Sequence, residues 1–243
     1  MNPPHAQPLT IDPTLQHAWN VAPAEARAIQ ERLRVRVETV DRFDGPIRTL
    51  AGVDVGFEDG GTVTRAAVVV LDSTTLQPLE RVLARRATQF PYVPGLLSFR
   101  EIPAVLDALA QLRMTPDLLL CDGQGIAHPR RLGIAAHLGV LLDRPSVGVA
   151  KSRLIGTHAD VPDRRGAWVP LHDGEERIGA VLRTRLGVKP IYVSSGHRVA
   201  LETAVEQVMR AVTRYRLPET TRQADSLASA PAHARRRGHH RRG

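Results

Sequence analysis

A single cysteine, Cys121, occurs in the whole chain, so an internal disulfide and a cysteine-based zinc centre are both excluded. Its place in a leucine run marks a small buried hydrophobe, and a chain without disulfides suits a reducing cytoplasm, the expected location. No apolar run approaches the roughly 20 residues of a membrane span. Nor does a positively charged start lead into a short apolar stretch, so neither export nor membrane insertion is expected. Acidic residues are in deficit: 25 Asp and Glu face 33 Lys and Arg, for a formal charge of +8. Five of those arginines crowd into the last nine residues, and without them the body carries only +3. A polyanionic partner is therefore suggested by the tail far more than by the body. A solubilising end with no partner has the same composition.

What is present is enough for an ordinary soluble core: 243 residues, 42% of them hydrophobic, suit one sizeable α/β domain. Residues 1–20 carry four prolines and no clear period, a loosely ordered lead-in. The body is expected over 21–229, and a disordered basic tail over 230–243. Helical spacing with a charged face runs from Ala22 to Val40. Thr49 to Phe57 and Thr62 to Leu71 are β-like and flank the hairpin signal Glu58-Asp-Gly-Gly61, and a third β run spans Leu79 to Ala87. Then come a helix near Phe99 to Arg113, a buried strand Leu118 to Asp122, a helix near Leu132 to Leu142 and a short strand Ser146 to Ala150. After a polar loop, β-like segments lie near Ala167 to Leu171, Arg177 to Thr184 and Ile191 to Ser194, before a helix around Val199 to Arg214. A three-strand meander followed by helix, parallel strand, helix and strand is the order of a ribonuclease H-like α/β fold, a mixed sheet with helices on both faces. Ligands of such sheets gather at the carboxyl ends of parallel strands, where Asp122 sits.

Three acids lie within or beside apolar runs, where an unpaired carboxylate is costly to desolvate: Asp54, Glu101 and Asp122. Asp54 shares a strand face with Leu50, Gly52 and Gly56, while Val53, Val55 and Phe57 point the other way into a core. The glycines leave space for a backbone or a metal, although an acid on a solvated strand face gives the same pattern. Ser98-Phe-Arg-Glu101 has the form of a capping box, in which Glu101 folds back on a helix-terminal amide; a first-turn Glu can equally aim outward at a metal. Arg100 beside it suits a phosphate contact or plain solvent. Asp122-Gly-Gln-Gly125 sets an acid before a glycine-rich turn whose amides are free to meet oxygen atoms. His128-Pro-Arg-Arg131 follows, with an imidazole that is either structural or functional. Lys151 emerges at a strand end, where a cation can hold a phosphate. His197, in Ser194-Ser-Gly-His-Arg198, suits a metal ligand, a proton carrier or a cap. Asp225 lies on a late polar segment and is the weakest acid of the set, expected to be exposed. Pro91-Tyr-Val-Pro-Gly95 is stiff, because prolines fix their own φ and restrict the preceding residue. Pro91, Tyr92, Val93 and Pro94 therefore form either a blunt tip that can enter a base stack or a plain turn with Tyr92 folded inward.

Taken together, Gly52-Val-Asp-Val-Gly-Phe57, Pro91 to Glu101, Asp122 to Gly133, Gly148-Val-Ala-Lys151 and Ser195-Gly-His-Arg198 resemble, in order, the motifs of the endonuclease V family of deoxyinosine-cleaving nucleases. The resemblance spans roughly Ala22 to Ser229. It implies that Asp54, Glu101 and Asp122 are metal carboxylates, with His197 completing the cluster, and that Lys151 and His128 assist at the phosphate. It places Tyr92 in a wedge, and Gly95, Leu97, Gly123 and Gly133 around a flipped hypoxanthine. The implied cofactor is Mg²⁺, with Mn²⁺ as a substitute, and the implied partner is DNA containing deoxyinosine, or inosine RNA, bound by a monomer. The cut would fall at the second phosphodiester bond 3′ to the lesion, leaving 3′-hydroxyl and 5′-phosphate ends. Other ribonuclease H-like nucleases and a non-catalytic DNA-binding protein are the alternatives. Gln124 stands where many family members carry His, which removes a group that titrates near neutral pH.

Overall fold

The structure, a computed structural model, describes residues 9–229. The expected basic tail and the first residues of the lead-in lie outside the described residues. Eight strands form one mixed sheet: β1 (Thr49–Glu58), β2 (Val63–Asp72), β3 (Pro78–Ala87), β4 (Leu118–Asp122), β5 (Ser146–Ala150), β6 (Trp168–Asp173), β7 (Glu176–Leu182) and β8 (Ile191–His197). Their spatial order is β3-β2-β1-β4-β5-β8-β7-β6. The β1, β4 and β5 pairings are parallel and the rest antiparallel, giving the ribonuclease H-like arrangement. Connections dictate this: β1, β2 and β3 are joined by short turns, while β4 and β5 each follow a helical crossover.

Helices α1 (Pro23–Arg34), α2 (Leu97–Leu109) and α3 (Ile134–Leu142) cover one face, packing on Ala51, Val53, Val68, Val70, Leu119 and Cys121. On the opposite face α4 (Leu201–Arg210) packs against Leu118, Leu120, Val147 and Val149. There α5 (Glu219–Ser229) meets Val69 and Leu71 through Ala224. Alternation along β1 and β4 thus sends Leu50, Gly52, Asp54, Leu118, Leu120 and Asp122 toward the α4/α5 face. Cys121 points the other way, fully buried, its thiol pushed up to about 12 by burial and then by Asp122 and Glu101.

Three expectations change. The first helix stops at Arg34 rather than running to Val40, because the chain turns to pair with the end of β8: Glu38 O accepts from Arg198 N at 2.7 Å and Arg198 O accepts from Arg42 N at 3.0 Å. Phe57, expected in the core, is 41% exposed, with the Arg100 guanidinium 4.4 Å from its ring centroid. The prolines of the lead-in led us to expect loose order, yet from Leu9 the segment packs on the core through Leu9, Ile11, Leu15 and Trp19. Asp12 caps a short 3₁₀ turn over Pro13–Leu15, and Asp12 N donates to Leu141 O. His17 Nε2 lies 2.9 Å from Nε2 of the fully buried His137, whose Nδ1 meets Ser98 Oγ at 3.0 Å.

Two predictions follow from this packing. A Cβ at Gly52 would lie 2.0 Å from Thr220 O, so Gly52→Ala forces α5 off the sheet. It should lower stability by about 1–3 kcal/mol, read as a lower urea midpoint. Burial, and then His17, hold the His137 imidazole well below its ordinary range. The unfolded chain takes up that proton near pH 6.5 and the folded one does not, so stability is complete above this pH and is lost as pH falls below it. In urea titrations between pH 7.5 and 5, His137→Gln should remove a slope of up to about 1.4 kcal/mol per pH unit.

Candidate active site

One pocket of about 470 Å³ opens at the carboxyl ends of the parallel strands, and Asp54, Glu101, Asp122, Lys151 and Asp225 all line it. Asp54 and Asp122 reach it from β1 and the end of β4. Asp225 arrives from α5, whose backbone lies directly on β1: a Cβ at Gly52 or Gly56 would strike Thr220 O or Ala228 O. One carboxylate oxygen from each of Asp54, Asp122 and Asp225 falls within 4.8 Å of the others. Lys151, just past β5, sets its Nζ 2.6 Å from Asp122 Oδ2 and 3.0 Å from Asp225 Oδ1.

Glu101 enters from α2, across the sheet. The capping-box reading fails: the N-cap is Leu96, and Ser98 sits inside the helix bonding to His137. Glu101 therefore lies a turn further in, 7% exposed, with no hydrogen-bond donor among the described residues. Burial, then Asp54 and Asp122, push its carboxyl up to about 8. Asp54 is likewise raised to about 8 by burial and then by Asp122. Burial works against the Lys151 ammonium, but its hydrogen bond to Asp122 prevails and keeps it protonated. Four acids share one ammonium, with Glu101 buried and Asp225 half-exposed. This donor set, all hard oxygens with one buried carboxylate unpartnered, fits a hard divalent cation.

The α2 side of the pocket is built on Gly95. Its carbonyl accepts from His128 Nε2 (3.0 Å), Arg130 Nη2 (2.7 Å) and Gln30 Nε2 (3.2 Å). His128 Nδ1 accepts from Arg130 N, so both ring nitrogens are used, and burial depresses its pKa to about 4. His128 thus braces the Pro91–Gly95 loop as a neutral ring. Tyr92 at the tip is 69% exposed rather than folded inward, while Val93, Pro94, Leu97, Gly123 and Gly133 line the pocket beside it. Pro91 is exposed at the start of that loop. The Asp122–Gly125 turn is stitched down by Gly125 N to Ser194 Oγ (2.8 Å), and Ala135 N donates to Gln124 O (3.0 Å). Gln124 lines the same pocket, its Nε2 donating to Ser152 O.

Two expected residues lie elsewhere. His197 pairs with Ser146, at the far end of β5 from Lys151. There its Nδ1 accepts from Glu38 N and its Nε2 meets Asp143 Oδ1, each at 3.2 Å, so it fastens the chain after α1. Arg100 turns away from the pocket to Gly61 O and the Phe57 ring. Asp225, expected to be exposed and the weakest acid of the set, is indeed half-exposed, yet it takes the fourth place in the acid group.

A ribonuclease H-like sheet with acids converging at its parallel strand ends defines a phosphodiester-cutting nuclease. The family model described as Endonuclease V matches residues 31–226. The chain is 64% identical over 219 residues to Endonuclease V of Roseiflexus castenholzii, covering 90% of this chain and 97% of that relative. It is similar to the crystal structure of Endonuclease V from Streptomyces avermitilis, with TM-score 0.82 and 45% identity over 91% of this chain and 96% of that one. A Ciona intestinalis Endonuclease V, in complex with a 24mer DNA containing an inosine followed by a ribo-adenosine, matches with TM-score 0.73 and 27% identity over 84% of this chain and 95% of that one. The chain belongs to the endonuclease V family.

The crowded acids predict a cation-free protein that is weakened at its own site. In EDTA at pH 8, Asp54→Asn should raise the melting temperature by about 2–4 °C, the equivalent of about 1 kcal/mol. Mn²⁺ should stabilise the wild type and do so much less for Asp122→Asn. Identical melting curves for all three proteins under both conditions would show that the acids are not under mutual strain.

Proposed function

We propose that this chain nicks a strand containing deoxyinosine by metal-dependent hydrolysis, cutting the second phosphodiester bond on the 3′ side and leaving 3′-hydroxyl and 5′-phosphate ends. The observation that carries the reading is the meeting of Asp54, Glu101, Asp122 and Asp225 beside Lys151 at the edge of one pocket. The inosine DNA held by the Ciona relative supports the substrate. Asp54, Asp122 and Asp225 would hold Mg²⁺, or Mn²⁺ in its place, with Glu101 on the α2 side. Such an ion supplies charge neutralisation at phosphorus and an activated water.

The remaining work falls to the chain's own groups. Lys151, protonated between two acids, presents a donor to a phosphate oxygen and stabilises the charge that develops there. The braced Gly95 wall, with Leu97, Gly123 and Gly133, forms a narrow recess in which backbone amides can receive O6 of hypoxanthine, and tight walls exclude the N2 amine of guanine. Exposed Tyr92, with Pro91 and Pro94, stands at the rim of the recess as the wedge that keeps the base out of the stack. The three donors on the Gly95 carbonyl pre-order that wall, which reduces the ordering entropy spent at binding.

Loss of an acid should remove several kcal/mol of transition-state stabilisation, on the order of 10³-fold in rate. With Mg²⁺ and labelled inosine duplex, Asp54→Ala and Asp122→Ala should lose nicking by that factor and keep duplex binding. Undiminished nicking by either variant sinks the hydrolytic reading. A parallel panel of inosine duplex, inosine RNA, RNA:DNA hybrid and undamaged duplex should favour the first, and preference for another substrate reassigns the activity.

A further inference from the structure

Twelve arginines of the described body, among them Arg65, Arg86, Arg131 and Arg198, pair with carboxylates. Arg153, Arg185, Lys189 and Arg214 are exposed and Arg216 is half-buried, and none of the five makes an ion pair among the described residues; hydrogen bonds tie Arg185 to the Arg214 carbonyl and Arg216 to the Lys189 carbonyl. Arg216 is the keystone, donating to Lys151 O (2.7 Å), Pro190 O (2.8 Å) and Lys189 O (2.8 Å). Arg185 donates through Nη1 to Arg214 O, and Thr184 Oγ1 donates to Arg216 O at 2.7 Å. These bonds sew the β7–β8 turn to the loop between α4 and α5. The Arg214 guanidinium lies 4.9 Å from the Tyr215 ring centroid, which limits its freedom. Asp163, the acid beneath the turn, is taken up by Gly187 N and Arg183.

The ridge is continuous with the active site, since Arg153 lines the pocket and Arg216 bonds to the carbonyl of Lys151. On the other face of the sheet stands the Gly95 wall, which leads into α2, and Asp54 and Asp122 lie on the strands between. A strand whose base enters that wall therefore crosses the acids and leaves over the ridge. Exposed cations on a hydrogen-bonded frame, without ion pairs of their own, suit phosphates, and guanidinium groups suit them in a forked geometry. We propose that this ridge binds the backbone of the substrate strand on the 3′ side of the cut, a positioning surface that carries no base readout. The inference rests on the proposed reaction, which fixes which side of the base is cut.

The test measures affinity in EDTA for three inosine duplexes: full length, with the 3′ arm trimmed near the cut, and with the 5′ arm trimmed equally. The wild type should lose more affinity from 3′ trimming than from 5′ trimming. Lys189→Glu/Arg214→Glu should bind the full duplex more weakly, flatten its log–log salt dependence by roughly 2, and gain nothing from a long 3′ arm. Arg48→Glu, an exposed reversal at the opposite end of β1, should keep the wild-type preference. Lys189→Gln/Arg214→Gln, with milder charge loss, gives the same comparison if the reversed pair melts early. Equal salt slopes in wild type and both double variants, or a retained 3′ preference, overturns the ridge. Absence of Mg²⁺-dependent nicking by the wild type overturns the proposed reaction instead, so the two failures are told apart.

Discussion

The backbone of α5 lies against β1 at a distance that only residues without side chains permit. Gly52 and Gly56 flank Asp54 on one strand face, and Thr220 and Ala228 carbonyls occupy the space their side chains would need. This close approach converts a polar C-terminal helix into part of the site. It delivers Asp225 to Asp54 and Asp122, and it limits the solvent that could screen them. The desolvated, mutually repelling carboxylates follow from that packing, as does the benefit they gain from a cation.

The central strands were legible to the residue: Leu118–Asp122 and Ser146–Ala150 are short apolar runs bounded by Pro, Gly and Asp, which leave few alternatives. That Asp54, Asp122 and Lys151 would meet at one pocket was legible because polar groups at the ends of such runs demand a reason. Asp225 was not, because α5 carries Thr and Ala where a helix normally shows large apolar residues. Its signal lay in the partner strand, in two glycines spaced four apart around an acid, and that spacing says that something approaches without saying what. His197 misled for the converse reason. Position after a strand cannot tell which end of an antiparallel pair a residue occupies, and β8 runs against β5.

Local pattern also misjudged the entry to α2. Ser98 and Glu101 have capping-box spacing, but tertiary contacts draw Ser98 to His137, and the helix begins earlier. Glu101 is thereby carried inward to the acids. The same buried network reaches through His137 and His17 to the N-terminal strap, so a proline-rich lead-in supports the helix that bears a site carboxylate. The Gly95 brace works similarly: Gln30 from α1 and Arg130 and His128 from the loop before α3 converge on one carbonyl, tying three distant stretches to the pocket wall.

The lone sulfur of this chain sits one residue before Asp122, sealed in the core, with its thiol held far above the range in which thiolates form at neutral pH. Thiol-directed alkylating reagents therefore have no accessible native cysteine here. Any cysteine introduced at the Tyr92 tip would be the sole reactive one, so a fluorophore or spin probe can be attached there without first removing the original, and loop motion can be followed in an otherwise unaltered protein.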